Sequence, residues 1–118
     1  MSKIPQIGGD HYGGTDYQHW DWACDVKLHY LPACASKYVS RYRKKNGRED
    51  LDKALTYINK AEELGITGSY IPRRFEYFWR FVLENRLTLE EGEICFYLME
   101  GQWQQARVAL LELLETVE

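Results

Sequence analysis

No stretch of about 18 consecutive apolar residues occurs in the chain, which excludes a hydrophobic membrane-spanning helix. Cysteine is scarce. Cys24, Cys34 and Cys95 are odd in number and far apart, so they do not read as a disulfide framework and fit reduced thiols packed as small hydrophobes. The first residues lack the apolar core of a signal peptide, and the expectation is a soluble, intracellular protein. Strand-like alternation, internal repeats and low-complexity tracts are missing as well. Neither the G-x-x-x-x-G-K-S/T phosphate loop nor a G-x-G-x-x-G turn is present, so any phosphoryl chemistry needs an unconventional site. Metal ligation has little to draw on, because His11, His19 and His29 are eight and ten residues apart and no cysteine pair has zinc-like spacing. Each histidine therefore has a structural reading beside any functional one.

What is present is the composition of a folded domain: 45% apolar residues, 28% charged and 14% aromatic, in 118 residues. That length fits a single domain over residues 1–118. A net charge of −3 gives no bulk attraction to nucleic acid or anionic lipid. The distribution is uneven, however. Ser36 to Arg48 holds six Lys or Arg and no acid, whereas Glu84 to Glu118 holds eight Glu against Arg86 and Arg107. A local anion site is therefore an open reading for the basic stretch.

The periodicity predicts an all-α protein of five to six helices behind an extended, glycine-rich arm over residues 1–15, which contains GGDHYGG. Thr15 or Asp16 is expected to cap a short first helix through Val26. Pro32 belongs in the first turn of a second helix running to about Lys45, ended by Asn46-Gly47. Leu51, Ala54, Leu55, Ile58, Ala61 and Leu64 mark a third, amphipathic helix before Gly65. Pro72 opens a fourth helix whose face Phe75, Phe78, Trp79 and Val82 is joined by Tyr77 and Phe81, so that it is apolar nearly all round. Such a helix is central in the fold or covered by another copy, with Tyr77 and Phe81 as candidates for self-association. Thr88 and Glu91 form a capping box for a fifth helix, and a last helix follows Gly101. Residues 16–64 thus read as a helical core and 65–118 as a helical extension.

Lys37, Arg41, Lys44 and Arg48 fall at steps of four, three and four and would line one stripe beside the apolar face of the second helix. Phosphate recognition needs such converging donors, and Tyr38 and Tyr42 supply rings on which a base can stack. The alternative is a solvated basic face. Asp50 and Asp52 likewise read either as first-turn acids favoured by the helix dipole or as groups that orient a cation, hold magnesium or accept a ribose proton. The cations occupy barely three turns, which argues for a compact phosphate pocket over an extended nucleic-acid track.

Taken in order, His11-Tyr12, then Lys37-Tyr38-x-x-Arg41, then Lys44, Lys45 and Gly47, then Glu49-Asp50-Leu51-x-Lys53-Ala54-x-x-Tyr57 resembles a family of small bacteriophage proteins. Most members are of unassigned function, and the family is typified by the nucleotide kinase of T-odd coliphages. The resemblance spans about residues 8–64. It implies a (deoxy)nucleoside monophosphate kinase with a nucleoside triphosphate as donor, with His11 and Asp50 for catalysis and His11, Tyr12, Lys37, Tyr38, Arg41, Lys44, Lys45 and Lys53 for the nucleotide. It further implies a homo-oligomer in the cytoplasm of an infected bacterial host. A metal requirement is not read from it. The residues alone also permit a non-catalytic binder that sequesters a nucleotide or a cyclic nucleotide defence signal, or an interaction protein that meets a host factor through its aromatic C-terminal half.

Overall fold

Leu51, Ala54, Ile58 and Ala61 are completely buried in the computed structural model, so the spacing of the third predicted helix does mark a core face. The structure describes residues 15–118. Six α-helices and one 3-10 turn follow in order among them: α1 (His19–Asp25), α2 (Tyr30–Arg41), the 3-10 turn (Tyr42–Lys44), α3 (Arg48–Glu63), α4 (Arg74–Glu84), α5 (Leu89–Glu100) and α6 (Trp103–Thr116). The fold is all-α, as the periodicity predicts, with no strand among the described residues.

Four helices close a ring, in which α2 packs on α3, α3 on α6, α6 on α5 and α5 back on α2. The centre is filled by Val39, Leu51, Ile58, Ile94, Leu98 and Leu110. Beside this ring α1 and α4 pair with each other. They meet through Trp22 and Phe81, whose rings stack with centroids 4.5 Å apart and planes 4° from parallel.

Helix ends show where local chemistry decides and where it yields. Thr88 and Glu91 make the expected capping box: the Thr88 hydroxyl accepts from Glu91 N–H at 3.1 Å and the Glu91 carboxylate from Thr88 N–H at 3.0 Å. The first helix begins later than Thr15 or Asp16 suggests. Asp21 reaches back to accept from Gln18 N–H at 2.9 Å, while Thr15 is drawn into a turn with Tyr17 N–H and donates to Glu84 on α4. Pro32 lies in the first turn of α2, which His29 caps three residues earlier, with Nδ1 accepting from Leu31 N–H. Leu64, expected in the apolar stripe, is the exposed C-cap of α3.

The fourth helix departs most from expectation. Phe81 is fully buried and Phe78 nearly so, while Phe75 and Trp79, placed on the core face by the wheel, remain exposed. A helix apolar on every side leaves its orientation to tertiary packing, and here the Trp22 stack turns Phe81 inward. The connector before it is held tightly. Gly68 approaches Gly101 so closely that a Cβ on Gly68 would stand 2.4 Å from the Glu100 carbonyl carbon. Gly101 itself ends α5 with φ 72°. Ser69 N–H donates to Met99 carbonyl at 2.7 Å, and Ser69 Oγ donates to Val26 carbonyl at 2.6 Å.

Candidate functional site

The basic stretch does not form the single stripe expected from an unbroken helix. The α-helix gives way to the 3-10 turn at Tyr42, so positions beyond Arg41 rotate out of phase with Lys37. Arg43 turns to Glu91, with Nε 2.6 Å from Oε2 and Nη2 3.0 Å from Oε1. Glu91 is wholly buried, and this forked pair satisfies its charge. Arg48 leaves the cationic set altogether, donating from Nη1 to the carbonyls of Leu114 (3.1 Å) and Val117 (3.2 Å) at the end of α6. Lys37, Lys44 and Lys45 are exposed and make no ion pair among the described residues.

Asp50 and Arg41 are brought together. Asp50 is fully buried, and its carboxylate accepts from Asn46 N–H at 3.2 Å and from Arg41 Nη2 at 3.4 Å. Its oxygens thus fasten the turn between α2 and α3. Arg41 Nε lies 3.4 Å from Asp50 Oδ2 without hydrogen-bond alignment, and it is a buried donor left without a partner.

Around Arg41 the structure assembles a ledge of aromatics and cations across α2 and α3. The Arg41 guanidinium carbon lies 4.7 Å from the centroid of the Tyr38 ring and the Lys53 ammonium 5.5 Å from it. Tyr38 stacks on Tyr57, with centroids 5.8 Å apart and planes 21° from parallel, and Tyr30 meets Tyr57 edge-on at 6.4 Å. Lys53 also pairs with Glu49 one turn back, at 3.5 Å. Cys34 acts on two of these tyrosines: its hydrogen bond raises the Tyr30 pKa, and its charge when ionised is the chief cause raising that of Tyr57. A recess of about 350 Å³ continues the ledge past Tyr57, lined by Leu31, Thr56, Asn59, Lys60 and Glu63.

Of the residues expected from sequence to bind a nucleotide, Tyr38, Arg41 and Lys53 therefore converge. Lys37 is exposed one turn before Arg41, where its charge acts on His19, and Lys44 and Lys45 stand in the turn beyond α2. His11 and Tyr12 lie outside the described residues. Tyr30 and Tyr57 were not expected in the site. Tyr57 sits one turn after Lys53 on α3, but only the packing of α3 on α2 brings it to Tyr38.

The other two histidines are structural. His19 keeps some solvent contact as a residue, yet its ring lies edge-on to Trp22 and Phe81, each 5.7 Å away. Ser36 Oγ donates to Ala33 carbonyl at 3.1 Å and faces His19 Nε2 at 2.8 Å, an arrangement that suits a neutral imidazole donating from Nε2. Burial, helped by the Lys37 charge, pushes the His19 pKa down to about 4. His29 is used as the cap of α2.

A larger recess of about 600 Å³ lies between α1 and Arg80 of α4, with Asp16, Asp21 and Asp25 on its walls. That charge is of the wrong sign for phosphate. Among the described residues no group of three His, Cys, Asp or Glu could hold a metal ion, and no helix is long and apolar enough to cross a membrane.

A DUF3310 domain, a family described as a protein of unknown function, is found at residues 9–59. No curated protein and no solved structure matches the chain. The matched segment takes in α1, α2 and most of α3, and with them every residue of the tyrosine ledge, while α4, α5 and α6 lie beyond it.

Proposed function

We propose that the chain binds a phosphate-bearing nucleotide on the α2–α3 ledge and holds it without transferring the phosphate. The base lies along Tyr30 and Tyr57, and the phosphates turn toward Arg41 and Lys53. The observation that carries this reading is the placement of two cations beside one half-buried tyrosine that is itself stacked on a second. Rings of this kind stack any base, and nearby cations on two helices suit a doubly charged group. The Arg41 side chain is partly exposed, so the guanidinium that leans on Asp50 still presents charge to a ligand on the ledge.

Binding without transfer is favoured over kinase activity by the position of Asp50. Phosphoryl transfer needs a group to orient the acceptor and a cation or donor at the transferred phosphate. Asp50, the candidate for that role, is buried and engaged with Arg41 and Asn46.

Calorimetric titration with nucleoside mono-, di- and triphosphates and with cyclic nucleotides tests the proposal, with the ligand recovered and analysed by chromatography afterwards. The expected result is saturable binding of at least one of them, weakened about tenfold by Tyr57→Ala and by Lys53→Gln, with the ligand recovered unchanged. Diphosphate appearing from a triphosphate and monophosphate pair would overturn the non-catalytic reading in favour of a kinase. Absence of binding to the whole panel would remove both.

A further inference from the structure

We propose that the recess beyond Tyr57 reads the edge of the nucleotide's base, through a hydrogen bond donated by Asn59, and that Arg107 is the positioning residue that holds Asn59 ready. This role rests on the nucleotide reading above and adds a choice of base to it. The tyrosines alone give no such choice, since every base offers a face to stack.

Thr56, Lys60 and Glu63 follow at steps of four and three, share one face of α3 and form the floor of the recess. Tyr57 and Leu31 stand on its α2 side, and Asn59 stands on the side where Arg107 reaches over from α6. At about 350 Å³ the space is at the small end of ligand pockets, with room for a base but not for a whole nucleotide. Sugar and phosphate are then left on the ledge outside.

A surface asparagine ordinarily turns its amide freely, and this one is fixed. The Arg107 guanidinium donates from Nε to Asn59 Oδ1 at 2.9 Å, from Nη1 to Gln104 Oε1 at 3.0 Å and from Nη2 to Glu62 Oε1, so all three of its nitrogens are engaged. Arginine carries donors only, so the atom that faces it is the amide oxygen, and the Asn59 NH2 is turned away from it. That NH2 has no partner within the described residues. It is a donor held in one position on the recess wall, and it suits a ring nitrogen or carbonyl oxygen on a base edge. The floor is electrically balanced, because Lys60 pairs with Glu63 at 3.5 Å. Lys60, Glu62, Glu63 and Arg107 lie outside the segment matched to the family, so the choice of base does not follow from that match.

Calorimetric titration of the full chain with the deoxynucleotides of adenine, cytosine, guanine and thymine, as mono- and triphosphates, tests the proposal. The affinities should spread by about tenfold or more between the best and the worst base at equal phosphate number. Asn59→Asp keeps the oxygen that Arg107 holds and removes the N–H, so it should narrow that spread to within about threefold while the added charge weakens all the ligands alike. Arg107→Ala, which lets the amide turn, should narrow it as well, with the helical circular dichroism of both variants unchanged. Wild-type affinities within about threefold of one another would overturn the inference and leave the nucleotide reading in place, because stacking alone is indifferent to the base. A spread that survives Asn59→Asp in full would also overturn it. Failure to bind any of these nucleotides would remove this role together with the reading it rests on.

Discussion

Acidification should destabilise this protein through His19, and the amount follows from its surroundings. The imidazole is held neutral against Trp22, Phe81 and Ser36, with a pKa of about 4 against 6.5 in an unfolded chain. Between those two values the unfolded state binds more protons than the folded one. Stability is therefore complete above pH 6.5 and falls as the pH drops toward 4. The whole difference is about 3 kcal/mol, and about 2 kcal/mol of it is lost by pH 5. Urea unfolding followed by tryptophan fluorescence at half-unit steps from pH 7.5 to 4.5 measures the curve. The carboxylates also titrate over part of this range, so the same series on His19→Gln is the reference: glutamine keeps an N–H donor for Ser36 and does not ionise. The wild-type curve should be steeper than that of the variant by about 2 kcal/mol between pH 7.5 and 5. Parallel curves, or a His19 proton signal titrating at or above pH 6.5, would refute the argument.

Phe81→Ala removes a fully buried ring from the Trp22 stack and should cost about 3–5 kcal/mol, whereas Trp79→Ala, measured on dilute protein, should cost less than about 1 kcal/mol; equal losses would mean that the two faces of α4 are wrongly assigned. Arg43→Ala leaves the buried Glu91 carboxylate without its forked partner. Because the Arg43 side chain is half exposed and water can enter in its place, the expected loss is about 2 kcal/mol, short of that for a fully buried pair, with Arg43→Lys between the two in chemical denaturation. Gly68→Ala forces a methyl against the Glu100 backbone and should lower stability by about 2 kcal/mol or more; an unchanged melting temperature would show that the connector gives way freely.

The parts of this structure that rest on neighbours in the chain are legible in its sequence. The buried face of α3 follows from the spacing of Leu51, Ala54, Ile58 and Ala61, and the start of α5 from Thr88 and Glu91. What could not be read depends on elements far apart. Glu91 looks like an ordinary capping acid, yet it is also the buried partner of Arg43, 48 residues earlier. Arg48 looks like the end of a cationic stripe, yet it closes the carbonyl end of α6. The stripe itself fails because a single 3-10 turn changes the angle per residue after Arg41. In the site, Lys53 was indicated only by the family resemblance, and the stack of Tyr38 on Tyr57 exists only because α3 packs on α2. On α4, where nearly every position is apolar, periodicity carries no directional information, and the inward side was chosen by Trp22.

The contact of Gly68 with Gly101 reverses a common expectation about where a chain tolerates change. Connecting segments ordinarily accept inserted residues with little penalty, because their backbone faces water. Here the segment between α3 and α4 is threaded against the end of α5 and tied through Ser69 to both Met99 and Val26. An insertion there would part three helices at once. Sites for a reporter loop or a circular permutation should instead be sought in the exposed residues Lys44, Lys45 and Asn46, provided that the hydrogen bond from Asn46 to Asp50 is kept.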